Sequence, residues 1–218
     1  MSKTAEALVK AALEIGAIKL KPKDPFTWAS GYRMPIYNDN RLLLSNAESR
    51  LLVAQGFSEQ IAAHNLSPDV IAGTATAGIP HATTLADYLK LPLSYVRSKA
   101  KEHGLQNRLE GAPISGKKVV LVEDLVSTGG SSLSALKAIR EEGGEITHCL
   151  SIFSYGFPKA ADLFSEAAAQ YLSLLDFSLL LKIAQEVNYL DSSEAELLSA
   201  WQVDPFAWGE QNGFPKVS

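Results

Sequence analysis

The sequence predicts an α/β fold: a mostly parallel sheet flanked by helices, with a small hood lobe drawn from the terminal segments. Three observations carry this. From Pro68 onward, short apolar runs alternate with Ala- and Leu-rich helical stretches across Gly-containing turns, the grammar of parallel strands joined by crossover helices. The strands are near-continuous in apolar residues, Val119-Val-Leu-Val122 most clearly, which suits burial on both faces. A chain of 218 residues with 46% apolar content is long enough to build one large packed domain.

In chain order, residues 4 to 15 are strong helix formers with helical apolar spacing, and Pro22 and Pro25 close off any continuation. Segment 26 to 41 mixes aromatics, Gly, Pro and Arg without a sustained period and reads as hairpin or loop. Ser45-Asn-Ala-Glu48 has the form of a capping box and opens a long helix to about Leu66. Segments 69–73, 93–97, 118–123, 147–153 and 170–175 are candidate strands; 79–89, 131–142 and 158–168 are candidate helices. Segment 98 to 116 is long, polar and basic where a crossover helix is expected, and loops of that kind are functional or disordered. After Phe177 come two further helices, the second opened by Asp191-Ser-Ser-Glu194 in capping-box form. The tail carries Trp201, Phe206 and Trp208, which are expected to be tied down against the core. Without repeats or low-complexity linkers, one domain over 1–218 is the economical reading, its core at about 46–175 and its hood mainly from about 1–45 with the C-terminal helices.

Charge and cysteine usage narrow the function classes. Twenty Lys plus Arg against 24 Asp plus Glu, a net charge of -4, provide no overall basic field for a polyanion, so no nucleic-acid partner is expected. The one cysteine, Cys149, excludes an internal disulfide framework and a Cys-based zinc cluster, and fits a reducing compartment. The first residues lack the apolar run of a signal peptide, and no stretch reaches the roughly 18 apolar residues of a membrane span. A cytoplasmic location without membrane contact is expected.

The most informative stretch is Lys118-Val-Val-Leu-Val-Glu-Asp-Leu-Val-Ser-Thr-Gly-Gly-Ser-Ser132. A buried strand ends in two adjacent acids, passes through a hydroxyl- and glycine-rich turn and opens a helix. Ser127 and Thr128 offer hydroxyls, Gly129 and Gly130 admit close backbone approach, and the helix start at Ser131 offers free amides, which together form a phosphate cradle. A Walker A run is absent, and a dinucleotide fold would place its acid about 20 residues after the glycines rather than before them. Glu123 and Asp124 just upstream suit vicinal ribose hydroxyls beside a 5-phosphate. The plainer alternative, a strand ending at solvent in an ordinary turn, stays open on spacing alone. Gly73-Thr-Ala-Thr-Ala-Gly78 also joins a strand to a helix and could form a second anion site or simply a tight packed turn.

The acidic stretch resembles the phosphoribosyl pyrophosphate signature of type I phosphoribosyltransferases. Phe26-Thr-Trp-Ala-Ser-Gly31, Pro35-Ile-Tyr-Asn-Asp-Asn-Arg41, Gly73–Pro80 and Tyr95–Gly104 are similar to the orotate-using branch of that family, over roughly residues 5 to 200. The resemblance implies a type I phosphoribosyltransferase-like core and an enzyme that joins orotate to phosphoribosyl pyrophosphate, giving orotidine 5'-phosphate and pyrophosphate in UMP biosynthesis. It implies phosphoribosyl pyrophosphate contacts from Thr74 and Ala75 in a pyrophosphate loop, from Arg97, Lys101 and His103, and from Glu123, Asp124, Leu125, Val126, Ser127, Thr128, Gly129, Gly130 and Ser131. Ser127 is expected to touch orotate as well. Catalytic roles fall to Lys101, His103 and Asp124, with Lys101 and His103 supplied across a homodimer interface from the cationic 98–116 segment, which would act as a lid. Taken singly, each of those cations also fits a solvated surface loop.

Magnesium is expected on the substrate's oxygens with Asp124 as an indirect contact, and no protein metal cage is expected. His64, His81 and His148 match no motif, and His148 reads as a hydrogen-bonded structural residue. The chain departs from some branch members at Ala29, where they carry Lys, and at Ser154-Tyr-Gly-Phe-Pro158, where they carry Arg. Arg33, Tyr37 and the amides of residues 30 to 33 are the candidates left for the orotate carboxylate. Two rivals remain: a phosphoribosyltransferase for hypoxanthine, adenine or uracil, and a non-catalytic regulator that senses phosphoribosyl pyrophosphate.

Overall fold

In the computed structural model, which describes residues 2–28, 30–98 and 108–217, helix α1 (Lys3–Glu14) starts at Ser2, whose side chain accepts the Thr4 amide. Four short strands follow. β1 (Ile18–Leu20) pairs antiparallel with β4 (Ile36–Asn38), enclosing a small hairpin of β2 (Phe26–Thr27) and β3 (Arg33–Met34). The hairpin expectation for 26–41 is met, while β1 lies in a stretch that periodicity left blank.

A 3-10 helix (Asn40–Ser45) then leads into α2 (Ala47–Ala63). The expected Ser45–Glu48 capping box is corrected here. Asn46 is the cap, its Oδ1 accepting the Glu48 and Ser49 amides, while Ser45 turns back to donate to the Leu42 carbonyl and close the 3-10 turn. One side chain serves two helix amides, so Ser45 is released for the preceding turn. The helix stops short of Leu66 because Asn65 takes a positive φ.

The main sheet and its connections come next: β5 (Val70–Thr74), α3 (Gly78–Leu89), β6 (Leu93–Val96), β7 (Leu109–Gly111), β8 (Lys118–Val126), α4 (Gly130–Glu141), β9 (Glu145–Ser154), α5 (Pro158–Glu166) and β10 (Gln170–Asp176). The spatial order is β10-β9-β8-β5-β6-β7, parallel throughout except for β7, which pairs antiparallel with β6. Strand β7 corrects the reading of 98–116 as loop alone. Its three residues carry too little apolar pattern to announce a strand, and the open edge of β6 recruits them.

Helices α6 (Phe177–Glu186), α7 (Ser192–Val203) and α8 (Trp208–Gln211) close the chain. The capping box at Asp191 and Glu194 forms as its spacing predicts. The buried residues divide between the two sheet faces. α1, α2, α3 and α6 cover one face together with the small strands; α4 and α5 cover the other.

Aromatic rings join the small strands to this body. Buried Tyr155, just past β9, lies 5.4 Å from Trp201, 5.3 Å from Phe157 and 6.2 Å from Trp28 between ring centres. Trp201 Nε1 donates to the Met34 sulfur at 3.1 Å, tying α7 to the hairpin. Trp201 and Trp208 are buried as expected; Phe206 is not, being 53% exposed with its edge on Tyr32 at 5.2 Å. Its place in the turn before α8 leaves it no interior face. Replacing Trp201 by Ala is expected to cost about 3–5 kcal/mol of unfolding free energy, read from denaturant midpoints at constant m-value, because it empties the junction of lobe and sheet.

Candidate active site

The chain order of the sheet creates a crevice. From β5 the connections run outward through β6 and β7, and from β8 they run the other way through β9 and β10, so the direction reverses between the two central neighbours. Helix α3 leaves β5 toward one face and α4 leaves β8 toward the other. Loops that part in this way open a binding cleft beyond the carboxyl ends of the strands. Thr74, Val96 and Val126 end their strands at that edge.

Glu123 and Asp124 sit on β8 there, with different surroundings. Glu123 is 5% exposed, and its oxygens accept the Asp124 amide at 3.0 Å and the Ser131 and Ser132 hydroxyls at 3.1 and 3.3 Å. Burial, with the adjoining Asp124 carboxylate, lifts its carboxyl group to about 8. Asp124 is half-buried, and its carbonyl accepts a hydrogen bond from Asn40 Nδ2 at 2.7 Å.

The turn that follows is shaped to receive an anion. Leu125 and Val126 continue the strand, Ser127 is half-buried, and Thr128, Gly130 and Ser131 are exposed. Gly129 holds φ at +84° as the first boundary residue of α4, with Phe164 against the place a side chain would take. Helices α1, α2, α6 and α7 are capped by Ser2, Asn46, Asp176 and Asp191, whereas α3, α4, α5 and α8 begin at Ala77, Gly129, Phe157 and Ala207 with no side-chain cap. Of these, α3 and α4 follow β5 and β8, the strands that flank the crevice, and the first turn of each carries the positive end of the helix dipole.

In the β5–α3 turn, buried Thr74 donates from Oγ1 to the Val122 carbonyl at 3.3 Å, and the Ala75 amide donates to the Val96 carbonyl at 2.9 Å. The Ala75–Thr76 peptide is cis. Gly78 lets α3 press onto β8, since a Cβ there would collide with the Val122 carbonyl oxygen. Three strand ends thus bring Thr74, Ala75, Arg97 and the 123–131 stretch to one edge. Arg97 is half-exposed, with Nη1 3.8 Å from Glu110 Oε1; its amide donates to the Arg108 carbonyl and its own carbonyl accepts Arg108 Nε. Lys101 and His103 lie outside the described residues.

Comparison with known proteins agrees with this geometry. Residues 44–166 match the family model for the phosphoribosyl transferase domain. The chain is 48% identical to orotate phosphoribosyltransferase of Bacillus pumilus over 94% of this chain and 97% of that one. It is 46% identical to orotate phosphoribosyltransferase of Streptococcus agalactiae over 90% of this chain and 94% of that one. The crystal structure of orotate phosphoribosyltransferase from Aeropyrum pernix superposes with a TM-score of 0.70 at 26% identity, covering 84% of this chain and 99% of that one. The chain belongs to the orotate phosphoribosyltransferase family.

The structure places the residues named for the orotate carboxylate, and the two positions of departure, as follows. Ala29 lies outside the described residues. Tyr155 is 2% exposed inside the aromatic cluster, where burial raises its hydroxyl pKa, so it packs instead of presenting a polar tip. Arg33 donates from Nη2 to the Pro25 carbonyl at 2.9 Å and stands over the Phe214 ring at 5.8 Å, within its own lobe. The Gly31 amide is taken by the Trp28 carbonyl, whereas Tyr37 is 42% exposed. His148 bonds to Thr147 Oγ1 through Nδ1, the structural role expected of it.

Two residues at the crevice carried no assigned role. Asn40 belongs to the Pro35–Arg41 segment that resembles the family, but its hydrogen bond spans 84 positions of sequence and no local period announces it. His81, 1% exposed in the first turn of α3, matches no motif; desolvation lowers its pKa to about 4 despite the Asp124 charge nearby.

The Glu123 shift has a definite sign. Its ordinary value is 4.5 and its folded value about 8, so between these the unfolded chain releases a proton that the folded chain keeps. Stability from this group is complete below about 4.5 and declines as pH rises to about 8, by up to about 1.4 kcal/mol per pH unit. Neutral His81 has the opposite slope between about 4 and 6.5, which leaves 6.5 to 8 as the clear window. Thermal midpoints of ligand-free protein should therefore fall across that window, and Glu123→Gln should flatten the fall; parallel profiles for the two proteins would overturn the assignment.

Proposed function

We propose that this chain transfers the 5-phosphoribosyl group from phosphoribosyl pyrophosphate to orotate, giving orotidine 5'-phosphate and pyrophosphate in pyrimidine biosynthesis. The observation that carries the reading is that the two helices following β5 and β8, α3 and α4, both start without a side-chain cap at the reversal point of the sheet, where half-buried Asp124 ends its run of acids. Two anion-seeking turns one strand apart suit a substrate with a phosphate at one end of a sugar and a pyrophosphate at the other. The 125–131 turn would take the 5-phosphate through Ser127, Thr128, Gly129, Gly130 and Ser131, and Thr74 and Ala75 would border the pyrophosphate. Asp124 meets the ribose hydroxyls directly; Glu123 reaches them by exchanging its bonds to Ser131 and Ser132. Ser127 stands where phosphate site and base meet.

The reaction is displacement at C1 of the ribose. As the bond to pyrophosphate lengthens, positive charge grows on the ring and negative charge on the leaving oxygens, an oxocarbenium-like transition state. Orotate N1 needs little activation, so the protein's work is positioning and charge stabilisation. Arg97, with Lys101 and His103 contributed by the second subunit of a homodimer, neutralises the departing pyrophosphate. Among the described residues no three His, Cys, Asp or Glu side chains converge on one point, so the donor set fits magnesium carried by substrate oxygens beside Asp124. When bound there, the ion would screen the pyrophosphate charge. Among the described residues no helix is long and apolar enough to cross a membrane.

The test is loss of orotate ultraviolet absorbance with magnesium and phosphoribosyl pyrophosphate, beside parallel assays with uracil, adenine and hypoxanthine. Orotate alone should be consumed; turnover of another base instead would reassign the substrate, and sugar-phosphate binding without turnover would favour a regulator. Lys101→Ala should lower kcat by about 100-fold or more while orotate affinity changes little, as expected for charge stabilisation confined to the transition state. Equal losses in both would remove Lys101 from the transition state.

A further inference from the structure

Beyond Val122 the β5 side of β8 has no strand to pair with. β5 accompanies β8 only from Val70↔Val119 to Gly73↔Val122, whereas β9 follows β8 as far as Val126↔Ser154. Carbonyls two residues apart on a strand point the same way, so those of Val122 and Asp124 both face the gap. Thr74 Oγ1 donates to the first at 3.3 Å and Asn40 Nδ2 to the second at 2.7 Å. Asn40 is 1% exposed and comes from the 3-10 helix directly after β4, so a residue of the small lobe completes the hydrogen bonding of the acid-bearing strand.

The surroundings of that bond are unusually polar for a buried wall. His81, also 1% exposed, lies near both the Asn40 main chain and the Asp124 carboxylate. Among the described residues, neither His81 ring nitrogen nor Asn40 Oδ1 has a well-formed hydrogen bond. Each such buried atom costs about 1–3 kcal/mol, a cost kept where a position matters more than stability. A charged imidazole would pair with Asp124 and draw its carboxylate out of the crevice; desolvation keeps this one neutral.

We propose that Asn40 is a positioning residue: acting through the Asp124 main chain, it fixes the Asp124 carboxylate at the level of the sugar hydroxyls and ties that level to the base-covering lobe. This rests on the proposed phosphoribosyl transfer and deepens it. The experiment is a double-mutant cycle on the full chain with Asn40→Ala, Asp124→Asn and the pair, reading kcat and KM for phosphoribosyl pyrophosphate at saturating orotate. Asn40→Ala should lower kcat/KM about tenfold or more, and in the Asp124→Asn background the same change should cost less than about twofold, since the carboxylate it places is gone.

An equal loss in both backgrounds would mean that Asn40 supports the fold alone and would overturn the proposal, as would no loss in either. Should Asn40→Ala fail to fold, Asn40→Ser goes through the same cycle under the same criterion. If Asp124→Asn leaves turnover intact, the sugar-site reading falls and takes this inference with it. If Asp124→Asn is damaging while Asn40→Ala is silent, only this inference falls.

Discussion

The parallel pairing of β5 with β8, and the point at which it stops, governs the rest of the molecule. Four paired residues hold the strands together, and then β5 turns into α3 at Gly78 while β8 runs on for four more residues against β9. The unpaired stretch is Glu123 to Val126. A strand freed on one side exposes polar backbone that must be satisfied from elsewhere, and it presents side chains to a cleft instead of a neighbouring strand. The acid pair, the Asn40 clamp and the two anion-seeking turns all follow from that divergence. Gly78 sets how close α3 comes to the β8 backbone, and so the width of the gap at its root.

Charge is distributed to match. A fully ionised Glu123 under the α4 turn would oppose an incoming phosphate; buried at 5% exposure and holding a proton up to about pH 8, it braces the turn through Ser131 and Ser132 without that opposition. Half-buried Asp124 sits beside it and faces the crevice under different constraints. Two neighbouring acids thus have different surroundings: Glu123 is tied to the start of α4 through Ser131 and Ser132, while Asp124 is half-buried with its carbonyl held by Asn40.

Much of this was legible in the sequence where the physics is local. The buried strands, their crossover helices, the capping box at Asp191 and the acid-loop-helix unit are written in contiguous residues, and the structure forms them. The Ser45 cap misled because Ser and Asn stand side by side and either can cap; Asn46 takes both amides while Ser45 closes the 3-10 turn onto the Leu42 carbonyl. Strand β7 was hidden because an edge recruits short, weakly patterned segments. Asn40 and His81 were beyond local reading, since Asp124, whose carbonyl Asn40 holds and whose charge lies near His81, is 84 and 43 positions away in sequence, and a single Asn or His carries no period.

The two halves of the crevice are built on different principles. The side proposed for the sugar phosphate is part of the main sheet, where Thr74, Ala75 and the 123–131 stretch are held by strand ends and helix starts. The side proposed for the base is a short hairpin held by packing and by the C-terminal residues: Trp28 and Met34 lean on Tyr155 and Trp201, and the Val217 amide donates to the Gly31 carbonyl so that the C-terminal residues lie across the hairpin. Gly209 packs against Arg33 and Phe214 in the same strap. A lobe fastened by packing can change its lining residues without disturbing the sheet, whereas β8 and its turns cannot change without losing the cradle. On the proposed function, selection among bases would fall to the lobe and the sugar phosphate to the sheet, and the Asn40 hydrogen bond to the Asp124 carbonyl joins the two.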